Sequence, residues 1–261
     1  VDAKALTKNI KMIREIIGDD KILTAVVKAN GYGHGAVEVS KIALQAGADR
    51  LAVAAVDEAV ELRRAGITAP ILVLGYNGPE EADDVVNYGI TATVCDFEAA
   101  QALSDAAIRN LKKVKVHIKV NTGMNRLGVA PEDTADFITA VNKLHLVNVE
   151  GMFTHFSCIG SDQDITDKQL SRFNLALSDV EAKGVRPPVV HAANSAATTT
   201  MPEAHFDMVR CGGLIYGMEP DFGEPVLSWK TRIAHVNKVA KSEGVGYDAV
   251  YRTDEPRKIA A

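Results

Sequence analysis

Apolar and polar positions along this chain follow two rhythms. Short apolar runs recur at TAVVK (24–28), LAVAA (51–55), ILVLG (71–75), TATVC (91–95), KVHIKV (115–120), VEGMFTHF (149–156), PVVHAA (188–193) and MVRCGG (208–213). They are brief and rich in β-branched residues, and several are apolar on both alternating faces. That is the pattern of parallel strands covered on both sides. Between them lie segments of helical period. AKALTKNIKMIREIIG sets Leu6, Ile10, Ile13 and Ile17 on one stripe. DEAVELRRAG takes Asp57 as its N-cap and ends on Gly66, and DFEAAQALSDAAIRN starts at Asp96. PEDTADFITAVNKLH carries Pro131 near its first turn, and ITDKQLSRFNLALSDVEAKG ends on Gly184. Carboxylates at the start satisfy free amides, and glycine past the end accepts the left-handed closing residue.

Eight strand candidates alternating with helices predict a (β/α)8 TIM barrel, with an open doubly wound sheet as the competing arrangement. After Gly217 the texture changes. VLSWKTRIAHVNKV, GVGYDAVYRT and RKIAA alternate at period two with no helix between them, which predicts a separate β domain. We expect a barrel over residues 1–222 and an incomplete β domain over 223–261. The chain opens on Val1 and stops inside an alternating run, so a longer protein is expected.

Composition narrows the function classes. Hydrophobic residues make up 47% of the 261, enough for a real core, and charged residues make up 24% with both signs mixed. The net charge of -5 argues against nucleic acid as a partner, because phosphate backbones need a basic surface. Cys95, Cys158 and Cys211 are far apart and form no metal or redox spacing. An odd count suits a reducing compartment. No apolar run approaches the roughly 20 residues that cross a bilayer, and no secretory signal opens the chain. The expectation is a cytoplasmic protein without membrane or nucleic-acid partners.

In such barrels chemistry sits at the carboxyl ends of the strands. The first apolar run ends in Lys28 and continues as ANGYGHG. An ammonium in the barrel mouth is desolvated, which lowers its pKa and suits it to condense with a carbonyl. Asn30, Gly31, Gly33 and Gly35 predict a tight turn, with Tyr32 and His34 adding polar tips. The fifth run leads into HIKVNTGMNRLG, where Lys119, Asn121, Asn125 and Arg126 gather and Arg126 can fork onto an anionic oxygen. The sixth ends at His155. Asn194 and Ser195 follow the seventh, as phosphate donors or as a plain helix cap. In the eighth, Gly212 and Gly213 offer unobstructed amides and Arg210 points into the barrel. Each residue singly has an ordinary structural reading: a snorkelling lysine, a satisfied histidine, a polar cap. Their joint occurrence at strand ends favours a site.

Together AVVKANGYGHG, KVNTGMNRLG, THF, HAANS, VRCGGLIYG and EGVGYDAVYR resemble the alanine racemase family, in its order and spacing across essentially the whole chain. The resemblance implies a barrel plus a β domain, homodimers, pyridoxal 5′-phosphate as cofactor, and a small amino acid as substrate. It implies interconversion of L- and D-alanine by two bases, supplying D-alanine for the cell wall. Lys28 would carry the cofactor and act as one base. Tyr32, Asn194, Ser195, Gly212 and the amide of Gly213 would hold its phosphate end, although Gly213 departs from the isoleucine expected there. Arg210 would face the pyridine nitrogen, and Arg126 the phenolic oxygen or the substrate carboxylate. Lys119 matches a lysine often carbamylated, which would brace Arg126. Tyr247 would be the second base, supplied by the partner subunit, with His155 bridging it to Arg210. An arginine cannot give its proton to a pyridine nitrogen, so the ring would be a weaker electron sink with fewer side reactions. Competing expectations are a serine or lysine racemase, a decarboxylase, a non-catalytic carrier of the same cofactor, and a bare phosphate-binding barrel.

Overall fold

The apolar runs form strands β1 (Ile22–Val26), β2 (Arg50–Val53), β3 (Ile71–Val73), β4 (Ala92–Val94), β5 (Val114–Lys119), β6 (Val147–Phe153), β7 (Val189–His191) and β8 (Met208–Cys211). They are seen in a computed structural model that describes residues 1–219 and 221–261. Residue contacts divide the chain into two units, Val1–Leu227 and Ser228–Ala261.

In the first unit the strands pair in parallel, in the orders β3-β2-β1-β8 and β4-β5-β6-β7. A parallel bridge between Leu72 and Thr91 joins the two sets on one side. On the other, the Asp207 and Arg210 amides donate to the carbonyls of Val190 and Ala193 at 2.9 and 3.1 Å. The ring therefore closes, which makes it a barrel rather than an open sheet. Most strands stop short of the apolar runs that predicted them. Lys28, Ala54, Ala55 and Gly75 lie past the strand ends, in the loops that shape the mouth.

Helices cover the outside. Ala3–Ile17 buries Leu6, Ile10, Ile13 and Ile17, as its stripe requires, and Asp2 caps it by accepting from the Lys4 and Ala5 amides. Asp96 caps Phe97–Arg109 by accepting from the Ala99 amide. The expected cap at Asp57 is corrected. The helix begins at Val56, and Glu58 reaches back to accept from the Ala54 and Ala55 amides. Glu58, the third residue of the helix, reaches back to amides that precede it, while Asp57 lies inside the first turn and its short carboxylate accepts from the amide of Glu58.

Inside the barrel, Val26, Ala52, Leu72, Val189 and Met208 form a small apolar cluster. His117, Glu150, His191 and Arg210 are also buried there. The β5–β6 register slips by one: Val116 pairs with Val149, but His117 pairs with Gly151. Glu150 is thus the extra residue of a bulge, which turns its carboxylate inward. A Cβ on Gly151 would lie 2.6 Å from the His117 ring and 2.7 Å from the Val189 carbonyl.

In the second unit the alternating sequence makes short strands only. Val236–Val239 pairs antiparallel with Arg257–Ala260, and Gly244–Val245 with Tyr251–Arg252. The buried Thr253 ties the two ribbons, its hydroxyl donating to the Ala240 carbonyl at 2.5 Å and accepting from the Glu243 amide at 3.1 Å. Residues 228–235 carry the alternation without forming a strand.

Candidate active site

Lys28 does not end a strand. It opens a single helical turn, Lys28–Tyr32, in which Ala29, Asn30 and Gly31 have φ of 51°, 52° and 61°. The turn is left-handed, although a simple glycine turn is what the sequence predicts. Tyr32 follows with φ 52°, so three non-glycine residues cost roughly 1–2 kcal/mol each and the conformation persists only because other bonds hold it. The Gly31 amide donates to the Val27 carbonyl at 2.8 Å, and the Asn30 side chain accepts from the Ala36 amide at 2.9 Å. Glu58 accepts from the Ala29 amide at 2.5 Å while also holding Ala54 and Ala55. One carboxylate thus ties the turn after β1 to the loop after β2. A Cβ on Gly31 would meet the Ala36 backbone at 3.3 Å, so this position tolerates little else.

The turn presents Lys28 to a cavity of about 410 Å3 lined also by Tyr32, His155, Asn194, Ser195, Arg210 and Gly212. The Ser195 hydroxyl accepts from the Gly212 amide at 3.0 Å and faces the Leu214 amide at 3.4 Å. A Cβ on Gly212 would stand 2.6 Å from the Tyr32 hydroxyl. The Lys28 ammonium lies 5.9 Å from the centre of the Tyr32 ring. Burial raises the Tyr32 pKa, helped by Glu219, so it is a hydrogen-bond donor and not a phenolate. Asn194 spends its side-chain oxygen capping Ser195–Thr200, accepting from the Ala197 amide at 3.1 Å. Gly213 borders the cavity with the Glu219 carboxylate beside it, which a side chain there would displace.

Arg210 forms the floor. It is 3% exposed and held at both terminal nitrogens: Nη1 donates to His191 Nδ1 at 2.7 Å, and Nη2 donates to the carbonyls of Thr154 and Ala192, both at 2.9 Å. His155 Nδ1 lies 3.3 Å from Nη2. Burial lowers the Arg210 pKa only to about 10, so it stays cationic at neutral pH. That charge shapes its neighbours. Burial, then Arg210, Lys119, Arg126 and Lys28, hold the His155 imidazole down to about 2, so it is neutral. Burial, Arg210 and Arg126 likewise push Lys119 well below the ordinary lysine range. Its amine rests 4.3 Å from the centre of the Phe153 ring. Arg126 is exposed on the loop after β5, which Asn121 organises by accepting from the Gly123 and Asn125 amides.

Lys28, Tyr32, His155, Asn194, Ser195, Arg210, Gly212 and Gly213 therefore meet at one cavity. Lys119 and Arg126 act on it through their charge. Tyr247 lies in the second unit, on the turn Tyr247–Ala249, and is 98% exposed. Sequence reading missed Glu58, Phe153, His117, His191 and Glu150. His191 stood inside PVVHAA as a single polar residue among apolar ones, and His117 alternated with Lys115 and Lys119 in KVHIKV. The Glu150 bulge had no local signal.

The model of the family described as alanine racemase, N-terminal domain, matches residues 1–220. An alanine racemase of Desulfovibrio desulfuricans is 43% identical over 268 residues, covering all of this chain and 72% of that protein. The solved structure of an alanine racemase from Clostridium difficile 630 superposes with a TM-score of 0.95 at 35% identity, covering 100% of this chain and 71% of that one. A histidine racemase from Leuconostoc mesenteroides superposes at 0.89 with 30% identity, over 100% of this chain and 72% of that one.

Proposed function

This chain belongs to the alanine racemase family, and we propose from that premise that it interconverts L- and D-alanine with pyridoxal 5′-phosphate at the mouth of its barrel. The observation that carries the reading is the convergence of Lys28, Tyr32, Ser195, Arg210 and Gly212 on one cavity.

The residues present fit the cofactor. A primary amine faces the cavity, the absence of a side chain on Gly212 lets the Tyr32 hydroxyl come close to its backbone, and the two cations Lys28 and Arg210 outnumber the one carboxylate, Glu219, in the lining. Lys28 would hold the aldehyde end. Tyr32, Ser195 and the Gly212 and Gly213 backbone would hold the phosphate, and Arg210 would face the ring nitrogen. When bound, the group withdraws electrons from Cα of an attached amino acid and acidifies its proton.

The protein's part is to move that proton. Removal from one face and return to the other needs a base on each side. Lys28 serves one face. Tyr247 serves the other from a partner subunit, which its near-complete exposure in the single chain accommodates. Arg210, cationic and fixed by backbone carbonyls, holds no proton that it can lend to the ring. Neutral His155 relays between Arg210 and the second base. Lys119, neutral enough to attack carbon dioxide and release a proton, forms a carbamate that pairs with Arg126. Arg126 orients the substrate carboxylate. Among the described residues no helix is long and apolar enough to cross a membrane, and we read the enzyme as cytoplasmic.

Chiral chromatography of L-alanine incubated with protein and cofactor tests the reaction. Appearance of the D form until the two are equal supports it. Borohydride reduction followed by peptide mass analysis should place the cofactor on Lys28. Racemisation of histidine or serine but not alanine would move the assignment to a relative such as the histidine racemase.

A further inference from the structure

The barrel interior holds a continuous chain of hydrogen bonds that the proton-transfer scheme does not use. Arg210 Nη1 meets His191 Nδ1 at 2.7 Å, His191 Nε2 meets His117 Nδ1 at 2.8 Å, and His117 Nε2 meets Glu150 Oε2 at 3.1 Å. Glu150 is held in turn by Arg50 at 3.0 Å and Lys115 at 2.6 Å. Arg50 and Lys115 stand at the N-terminal ends of β2 and β5, at the opposite end of the strands from the cavity.

The direction of this chain follows from its two ends. A guanidinium can only donate, so His191 Nδ1 must be a bare acceptor. Neutral His191 then carries its proton on Nε2 and donates to His117 Nδ1. His117 in turn carries its proton on Nε2 and donates to the carboxylate, which can only accept. Burial favours the neutral form of both rings. Burial alone would raise the Glu150 carboxyl, but His117, Lys115 and Arg50 bring it well below the usual carboxylate range. Reversing either ring would set two donors, or two lone pairs, against each other in a dry interior.

We propose that Glu150 is a positioning residue for the active site: by accepting from His117 it locks, from the end opposite Arg210, the tautomers of His117 and His191 and so keeps for Arg210 an acceptor on its buried side. Arg210 then cannot rotate toward the barrel core without abandoning a bond, and its other edge stays directed at the cavity. Two local devices build the chain. The bulge aims Glu150 inward, and the missing side chain of Gly151 leaves room for the His117 ring.

The tautomer part stands on geometry alone; the catalytic part rests on the site reading above. The test separates them. Imidazole nitrogen NMR of the purified protein at neutral pH should show pyrrole-type Nε2 and pyridine-type Nδ1 in both rings, with a scalar coupling across the His191–His117 bond. In Glu150→Gln an amide NH2 set against His117 Nε2 opposes the order that Arg210 imposes from the other end, so a second tautomer should appear and the coupling should weaken. In the cofactor-loaded enzyme kcat should fall about 10- to 100-fold with KM for alanine nearly unchanged. His117→Phe cuts the chain in the middle while leaving Glu150 its two cations, and should act alike if Glu150→Gln fails to fold. A parent spectrum with either ring protonated on Nδ1 overturns the inference. So does a folded Glu150→Gln that keeps the coupling or the parent kcat. A parent without racemase activity but with the expected spectrum would sink the functional reading and leave the tautomer assignment intact.

Discussion

Replacing Gly151 with alanine tests whether the barrel interior is as tightly fitted as its geometry implies. The added methyl would sit 2.6 Å from two atoms of the His117 ring and 2.7 Å from the Val189 carbonyl. Neither can retreat freely: the ring is bonded at both nitrogens, and the carbonyl belongs to β7 beside it. Overpacking of this kind costs about 1–3 kcal/mol. For a unit of this size, about 2–4 °C of melting temperature per kcal/mol implies a drop of roughly 2–12 °C. Denaturant melts of four proteins measure it: parent, Gly151→Ala, His117→Ala and the double variant. With the ring gone the methyl has space, so the second substitution should cost at least about 1 kcal/mol less than in the parent. Relief will be incomplete, because the Val189 carbonyl remains. Costs that add within about 0.5 kcal/mol, or a Gly151→Ala protein as stable as its parent, would refute the fit.

Three further outcomes follow from the same structure. His117, His155 and His191 have folded pKa values below that of an unfolded histidine, so below about pH 6.5 the unfolded state binds more protons. Stability should be full above that pH and fall as pH drops, by up to about 1.4 kcal/mol per unit for each ring, and removing His117 should flatten the slope measured in denaturant melts. Glu58→Ala removes the acceptor of the Ala29, Ala54 and Ala55 amides and should weaken cofactor binding about tenfold by absorbance titration, with Glu58→Gln intermediate. If Tyr247 serves the partner's site, inactive Lys28→Ala and Tyr247→Phe proteins should regain about a quarter of parent activity after subunit exchange, since a mixed dimer has one intact site. No recovery in verified mixed dimers would place both residues in one chain's site.

The sequence alone carried the architecture of the first unit. Its parallel strands are buried on both faces, so their apolar runs are continuous, and the helices between them show clear stripes and caps at Asp96 and Gly184. The mouth residues were legible because topology puts any residue just past a strand end at one face of the barrel. Lys28, Ser195 and Gly212 needed only that rule, and Arg210 lies one residue before the end of β8. Boundaries were less legible. Asp57 is not the cap because the helix already begins at Val56, and Glu58 instead holds the two amides that precede it. The alternation in 228–235 made no strand, because a strand requires a bonded neighbour that periodicity cannot supply.

What only the tertiary structure decided are the properties that depend on who sits opposite whom. The left-handed turn after β1 is unfavourable for Ala29 and Asn30 taken alone, and a carboxylate from another strand's loop helps to hold it. The lowered pKa values of His155 and Lys119 come from burial and from cations up to 127 positions away in the chain. The link from Arg210 to Glu150 depends on a one-residue register slip between β5 and β6. Local propensity acts over a few residues, whereas electrostatics and close packing act over a few ångströms, and only the folded chain converts one distance into the other.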